Sequence, residues 1–308
     1  MYIKNISEKI KPDMKQIFER KFIINISKNE IIKMKNSGYI TDVDMEIVRF
    51  LFEFRFATLE QIKKFLNEDN TDLVKKKMKK LTTQRVLNRF MLSPYELDKV
   101  EDDGLFFYCL DVGGIHLLLH YSTDERVFDW TTTLNMVSSE MVSKLVSVVD
   151  IYLNFKKNCP EIITSFRVNP ELRVGKKVMY PSFELVIESK GEKKVFIGEV
   201  VKDLDVPVLL RDKVLKIENL LNTKAIKKYY YDVTSDPIIL LIGENDEIAL
   251  ESSRLITSCT EITNFRVSTE ERASTKKPHL KGAFLKYQDG KLEEIAAQTF
   301  KPAPKSKK

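Results

Sequence analysis

The chain has 308 residues, of which 43% are hydrophobic and 31% are charged, and its formal net charge is +6. This composition predicts a globular soluble protein that is long enough for two ordinary domains. No apolar run approaches the length of a membrane span, and residues 1–29 lack the apolar core of a signal peptide, so no membrane partner is expected. Three widely spaced cysteines favour reduced thiols in the cytoplasm over a disulfide framework.

Residues 1–40 alternate basic and apolar side chains. This pattern predicts one or two short helices or a basic arm. Such an arm beside a DNA-reading element often touches phosphates, whereas a mobile leader has no such role. The residues leave both interpretations open.

A strongly apolar helix is predicted after residue 40. Its candidate N-cap is Thr41 or Asp42. Apolar side chains then recur at helical spacing, at Val43, Ile47, Phe50, Leu51 and Phe54. This helix is expected to pack across the helix pair that follows it.

Two shorter helices, separated by a polar turn, are predicted over residues 58–81. Thr58 and Gln61 match a capping box, in which each side chain accepts a hydrogen bond from the backbone amide of the other residue. Asn70 or Thr71 is the candidate N-cap of the second helix. The apolar, inward positions of the two helices are Ile62, Phe65, Leu66, Val74, Met78 and Leu81.

The second helix of this pair carries a run of lysines outside its apolar positions, at Lys75, Lys76, Lys77, Lys79 and Lys80. Insertion into a major groove needs such a face, because cations bind phosphates and long side chains reach base edges. An ordinary solvated lysine face is the alternative. We favour DNA binding because the run lies on the second helix of a helix-turn-helix.

A hairpin is predicted directly after this helix pair. Residues 86–92 and 105–110 are rich in aromatic and branched side chains, which are typical of strands. Three helices followed by a hairpin are the order of a winged helix. Arg85 and Arg89, at the base of the hairpin, are further candidates for phosphate contacts.

The hairpin loop, residues 93–104, is acidic. It contains Glu96, Asp98, Glu101, Asp102 and Asp103, whose charges repel phosphates. The loop is therefore not expected to lie in a minor groove. Its composition is compatible with a contact to a basic protein partner and with a simple solvated loop.

His116 and His120 have the i,i+4 spacing of some zinc sites, on a helix predicted over residues 115–121. The only other histidine is His279, and no third ligand is evident. We therefore interpret both as core or surface histidines and predict no metal site.

An amphipathic helix is predicted over residues 138–157. We interpret it as the connector between two domains and as a candidate dimer surface. A homodimer is accordingly among the predicted partners.

The C-terminal half predicts a mixture of strands and helices. A turn over residues 189–192 makes two of the strands a hairpin. The predicted elements are strands over 162–168, 183–188 and 194–201, a helix over 209–222, a buried strand over 237–243, a helix over 247–257, and strands over 265–267 and 283–287. Residues 301–308 form a basic tail that we expect to be disordered.

Several segments in this order carry a family resemblance. They are the helix pair over 58–81, Tyr108-Cys109-Leu110-Asp111-Val112-Gly113-Gly114, Tyr180-Pro181-Ser182 and Glu199-Val200-Val201-Lys202. Over residues 41–287 the chain resembles the replication-relaxation family of plasmid and phage proteins, which joins a winged helix to a PD-(D/E)xK nuclease core. The resemblance implies a link to plasmid replication or DNA topology without defining a reaction.

Active cores of this kind hold a divalent metal between two carboxylates and use a lysine two residues after the second one. Ser182 stands where the resemblance implies the first carboxylate, and Glu199 matches the second. Val201 occupies the lysine position, and strand alternation sends Lys202 to the opposite face. Glu184 is a candidate replacement carboxylate, but the lysine is still missing. We predict an inactive core that serves as a dimerisation or DNA-docking platform.

Together these features predict an α+β protein with an N-terminal winged helix-turn-helix domain followed by an α/β PD-(D/E)xK nuclease-like domain. The expected parts are a basic helical arm over 1–40, the winged helix over 41–134, a connector helix over 135–160, the nuclease-like domain over 161–298 and a tail over 299–308. The predicted function is sequence-specific binding of double-stranded DNA without a cofactor. The protein would act as a regulator or accessory factor in replication, maintenance or transfer of a plasmid or other mobile element. A metal-dependent DNA nuclease and a protein–protein adaptor are the alternatives.

Overall fold

The chain divides into two compact units, residues 1–149 and residues 150–308. The structure, a computed structural model, describes residues 9–22, 26–95, 105–174, 176–189, 191–206, 208–223, 229–230, 232–233, 235–295 and 298–300. Both units combine helices with a sheet, which confirms the predicted α+β class. Within these ranges, no helix has the length and apolar character needed to cross a bilayer.

The first unit contains the predicted winged helix. Its strands are β1 (Lys15–Phe18), β2 (Ala57–Thr58), β3 (Leu87–Ser93) and β4 (Phe106–Leu110). Its helices are α1 (Lys28–Asn36), α2 (Asp42–Phe54), α3 (Leu59–Leu66), α4 (Thr71–Thr83), α5 (Val112–Tyr121) and the first half of α6 (Ser139–Asn158). The strands form one sheet in the order β1-β3-β4-β2. The sequence α2, β2, α3, α4, β3, β4 is that of a winged helix.

Side-chain caps define where the winged-helix helices begin. The Thr58 hydroxyl accepts the Gln61 amide at 3.3 Å, and the Gln61 side chain accepts the Thr58 amide at 3.0 Å, which confirms the predicted capping box. Asn70 caps α4, and Thr41 caps α2 through a second capping box with Asp44. Of the apolar positions predicted for α2, Val43 is exposed and the prediction of a core position there is wrong.

The N-terminal segment differs from the helices or arm that we expected. Helix α1 confirms a short helix, but residues 15–18 form β1, which pairs antiparallel with β3 and places Phe18 opposite Phe90. The strand forms because β3 offers an open edge, and local periodicity carries no information about that edge. β1 therefore widens the sheet behind the hairpin.

Helix α6 is buried over most of its length. In the predicted amphipathic stripe, Leu145, Val148, Val149 and Leu153 are each at most 8% exposed and Tyr152 is half-buried, whereas Met141 is 38% exposed. Most of the stripe is thus covered by the chain itself, and a role of this helix in dimerisation stays a prediction. The connector role of this helix stays a prediction.

The second unit is built around one mixed sheet. The strands of this sheet are β5 (Ile163–Val168), β8 (Phe183–Ser189), β9 (Glu192–Val201), β10 (Ile238–Gly243), β11 (Phe265–Thr269), β12 (Phe284–Gln288) and β13 (Lys291–Ile295). Two further strands, β6 (Leu172–Val174) and β7 (Lys177–Met179), pair with each other in a separate two-stranded sheet. Its further helices are α7 (Val208–Asn222), α8 (Asp246–Cys259) and α9 (Glu270–Thr275). The sheet order is β13-β12-β11-β10-β9-β8-β5, with β9, β10 and β11 parallel.

The predicted hairpin at residues 189–192 is confirmed, since β8 and β9 pair antiparallel with Ser189 opposite Glu192. Helices α7 and α8 pack on the sheet face that carries Ile197 and Val201 of β9. Elements β6, β7, β13 and α9 were not predicted. These elements are short or highly charged. Whether such segments form a strand or a helix depends more on contacts with neighbouring elements than on the pattern of their own residues.

Candidate nucleic-acid interface

Helix α4 presents lysines to solvent on the side opposite its core. Val74, Met78 and Leu81 are buried, as predicted. Lys75, Lys76 and Lys79 are exposed, and none of them forms an ion pair with any residue that the structure describes. Lys77 is half-buried. We refer to Lys75, Lys76 and Lys79 as the α4 lysine face.

Lys80 lies on the same helix but has internal partners. Its ammonium group forms an ion pair with Asp44 of α2, which is fully buried, and donates a hydrogen bond to the Tyr39 carbonyl at 3.0 Å. The ammonium nitrogen also lies 5.5 Å from the centroid of the Tyr39 ring. These contacts fasten α4 to α2, so Lys80 has a structural role that the sequence pattern did not reveal.

The Arg85 guanidinium contacts polar groups of two segments that are distant in the sequence. Its Nε lies 2.8 Å from the Asp111 Oδ2 atom, and its Nη2 donates to the Lys21 carbonyl at 2.6 Å. Burial raises the pKa of Asp111 to about 6, although the Val112 amide and the Arg85 charge act in the opposite direction. The pair closes the base of the hairpin.

Gly113 and Gly114 complete this corner. A Cβ atom at Gly113 would lie 2.6 Å from the Arg85 carbonyl oxygen, and one at Gly114 would lie 2.5 Å from the Val86 carbonyl oxygen. Only glycine permits this close backbone approach. The glycines that carry the family resemblance thus serve helix packing at the base of the hairpin.

Arg89 is held by β1 and β4. It donates to both carboxylate oxygens of Glu19, at 2.6 and 3.0 Å, and its guanidinium carbon lies 4.0 Å from the centroid of the Phe106 ring. Arg20 also turns inward and donates to the Thr82 carbonyl at the end of α4, at 3.1 Å. The basic residues nearest the hairpin therefore have structural partners from the N-terminal segment.

Two other predicted features of the first unit are the acidic hairpin loop and the histidine pair. The acidic residues at positions 96–103 fall outside the described residues. His116 contacts the Ile26 carbonyl at 3.1 Å, and His120 packs edge-on against Tyr121. Within the described part of the chain, no cluster of three or more His, Cys, Asp or Glu side chains is arranged to hold a metal.

In the second unit, Ser182 and Glu199 lie together on the face covered by α7. The Ser182 amide donates to Glu199 at 3.2 Å, and the Ser182 hydroxyl accepts the Val200 amide at 3.0 Å. The other Glu199 oxygen forms an ion pair with Lys213 of α7. Glu199 is 3% exposed, so this lysine neutralises a buried carboxylate.

Glu184 lies on the same face and has its own counter-ion. Arg167 of β5 binds both of its oxygens, at 2.8 and 2.6 Å. Both carboxylates of this face are thus paired with cations, and Ser182 supplies no third carboxylate. This donor set does not fit a divalent metal, which needs several oxygen ligands that include unpaired carboxylates.

Lys202 points away from this face, as strand alternation predicts. It is nearly buried and forms an ion pair with Glu270 at the start of α9, with Glu244 3.8 Å away. Lys213 and Arg167 were missed by sequence reasoning. Lys213 follows Glu199 by 14 residues on a different element, so no local spacing identifies the pair.

No protein-family model matches this chain, and no curated protein is significantly similar to it. Membership in the replication-relaxation family therefore stays a prediction. A solved structure of the restriction endonuclease FokI bound to DNA is similar over 82% of this chain and 45% of that chain, at 12% sequence identity and a TM-score of 0.27. This chain thus aligns with less than half of the endonuclease, and the similarity is too low to establish a common fold or function.

Proposed function

We propose that this protein binds double-stranded DNA through the α4 lysine face. The observation that supports the proposal is the division of the basic residues in the first unit. Lys80, Arg85 and Arg89 are held by acidic partners, whereas Lys75, Lys76 and Lys79 remain exposed on the second helix of a helix-turn-helix. A winged helix places this helix in the major groove, where lysines reach phosphates and base edges.

Replacing the three lysines of the α4 face with alanine should weaken duplex binding. It should also reduce the log–log salt slope by roughly 0.9 per lost phosphate contact, because fewer counterions are released. Fluorescence anisotropy titrations of labelled duplex DNA over a series of salt concentrations measure both effects.

The matched control replaces Lys277, Lys281 and Lys291, three exposed lysines of the second unit, with alanine. This variant loses the same charge and should keep the wild-type slope. An equal loss in the two variants would show that α4 is not the main DNA-binding surface, because lysines of the second unit would then contribute as much.

We further propose that the protein is a regulator or accessory factor in replication, maintenance or transfer of a plasmid or other mobile element. The support is the family resemblance together with the winged-helix order of the first unit. Sequence-specific binding is part of this role, since a regulator must distinguish its sites from bulk DNA.

We propose that the second unit does not hydrolyse DNA. Its candidate carboxylates, Glu184 and Glu199, are each neutralised by a cation, and Val201 is apolar where a lysine is required. Without a metal, nothing at this position lowers the pKa of an attacking water. The unit then serves as a platform for assembly or DNA docking.

A further inference from the structure

The outward side of α4 is not uniformly basic. In the first turn of this helix, Asp72 and Leu73 are both exposed to solvent. Leu73 is 41% exposed, whereas every other apolar side chain of α4 is buried in the core. A single exposed leucine needs no ligand by itself, so the position of Leu73 on the helix decides what it can do.

Leu73 lies beside the α4 lysine face. Lys76 follows Leu73 by three residues and Asp72 by four, so helical geometry places the three side chains next to one another on the outward side. The first turn of this side therefore carries an apolar and an acidic residue, and the lysines begin in the second turn. The helix side that we propose for DNA thus changes its chemistry along its length.

The acidic residue indicates which part of DNA the first turn can approach. Asp72 forms no ion pair with any residue that the structure describes, so its carboxylate keeps its charge on the exposed side of α4. A carboxylate is repelled by phosphates but can accept a hydrogen bond from a cytosine amino group in the major groove. The first turn therefore suits base edges, whereas the lysines suit phosphates.

We propose that Leu73 determines base specificity by contacting the 5-methyl group of a thymine in the major groove. This methyl group is the apolar group that a T·A pair presents there, and the first residues of a recognition helix are the ones that reach base edges. The inference rests on the proposed DNA binding through α4. It adds a base preference that lysine–phosphate contacts cannot supply.

Replacing thymine with uracil tests the contact, because the two bases differ only in the 5-methyl group. The wild-type protein first selects its preferred site from a randomised duplex library, and each thymine of that site is then replaced in turn with uracil. At one position or more the replacement should raise the dissociation constant about fourfold, the effect of losing one buried methyl contact. Fluorescence anisotropy titrations measure the constants.

The full-length Leu73→Ala variant should bind the thymine and uracil duplexes equally. Its salt slope should equal that of the wild-type protein, because Leu73 neutralises no phosphate, and an unchanged slope also shows that the variant is folded. Leu73→Met keeps an apolar side chain of similar volume and should retain the preference for thymine. The matched control is Leu280→Ala, which truncates a 50% exposed leucine of the second unit and should also retain it.

Two kinds of failure are distinguishable. A selected site without thymine, equal binding of the thymine and uracil duplexes by the wild-type protein, or a preference that persists in Leu73→Ala would each overturn the inference and leave the proposed DNA binding intact. A wild-type protein that binds no duplex would overturn the proposed function, and the inference with it.

Discussion

At the scale of single residues, the partners of each basic side chain decide what it can do. Lys80 and Lys76 lie four positions apart on α4, yet Lys80 neutralises the buried Asp44 while Lys76 is free of described ion pairs. An unpaired buried carboxylate is costly, so the fold needs Lys80 beside Asp44. The same reasoning places Lys213 beside Glu199, which is 3% exposed.

The Lys80→Ala substitution should destabilise the first unit by about 1–3 kcal/mol, because Asp44 loses its counter-ion without gaining water. The salt slope of DNA binding should stay unchanged. Lys76→Ala is the matched control and should behave in the opposite way, with normal stability and a smaller slope. Denaturant unfolding and anisotropy titrations measure the two quantities, and a reduced slope in Lys80→Ala would place Lys80 in the DNA interface.

The second residue-scale prediction concerns Glu199. The purified protein should not cleave supercoiled, linear or single-stranded DNA with magnesium or manganese, because Lys213 already occupies the carboxylate that a metal would need. Glu199→Gln should therefore leave DNA binding unchanged, as should the control Glu188→Gln on an exposed site of β8. Metal-dependent nicking that disappears in Glu199→Gln but persists in the control would contradict the prediction, and Glu184 would then be the candidate second ligand.

At the scale of elements, β1 changes what the hairpin can offer. By pairing with β3 it brings Glu19 against Arg89 and Arg20 against the end of α4. Arg85 and Arg89 at the hairpin base thus have internal acidic partners, and their contact with phosphates stays a prediction. Among the described residues of the first unit, the α4 lysine face is therefore the surface that we propose for DNA.

A second prediction at the scale of elements concerns the acidic hairpin loop, residues 93–104. Neutralising Glu101, Asp102 and Asp103 as the corresponding amides should leave DNA affinity unchanged or raise it modestly, since repulsion from phosphates is removed. Anisotropy titrations at low and high salt test this, and the gain should shrink at high salt. A marked loss of affinity would instead assign the loop a direct role in binding, or a structural one.

At the scale of the whole molecule, the two units have separate cores, and α6 contributes to each of them. Gln61 donates to the Val146 carbonyl at 2.9 Å in the first unit. Asn154 donates to the Ala273 carbonyl at 2.8 Å in the second. The proposed DNA binding of the first unit and the neutralised carboxylates of the second are consistent with our proposal that the protein marks a DNA site without cutting it.

The whole-molecule prediction is that the protein occupies defined DNA sites in its host. Sequencing the DNA cross-linked to the protein should recover a small set of duplex sites on a mobile element, because a regulator must bind its sites far more tightly than other DNA. The variant that lacks the three lysines of the α4 face should lose this enrichment. Uniform coverage by the wild-type protein would contradict a sequence-specific role.

The amino-acid sequence by itself determined the features that depend on a few neighbouring residues. The capping box of Thr58 and Gln61, the buried positions of α4 and the side of β9 on which Lys202 lies all follow from spacings of one to four residues or from strand alternation. These features were predicted because propensity and periodicity are local.

Only the tertiary structure decided which charged residues form internal ion pairs and which remain exposed to solvent. Glu19 lies 70 residues from Arg89 in the chain, and Asp44 lies 36 residues from Lys80. The strand β1 likewise exists because β3, far along the chain, supplies its hydrogen-bonding edge. Pairings at such separations depend on how the elements pack. The spacing of residues along the chain does not predict that packing, because the spacing reflects only local structure.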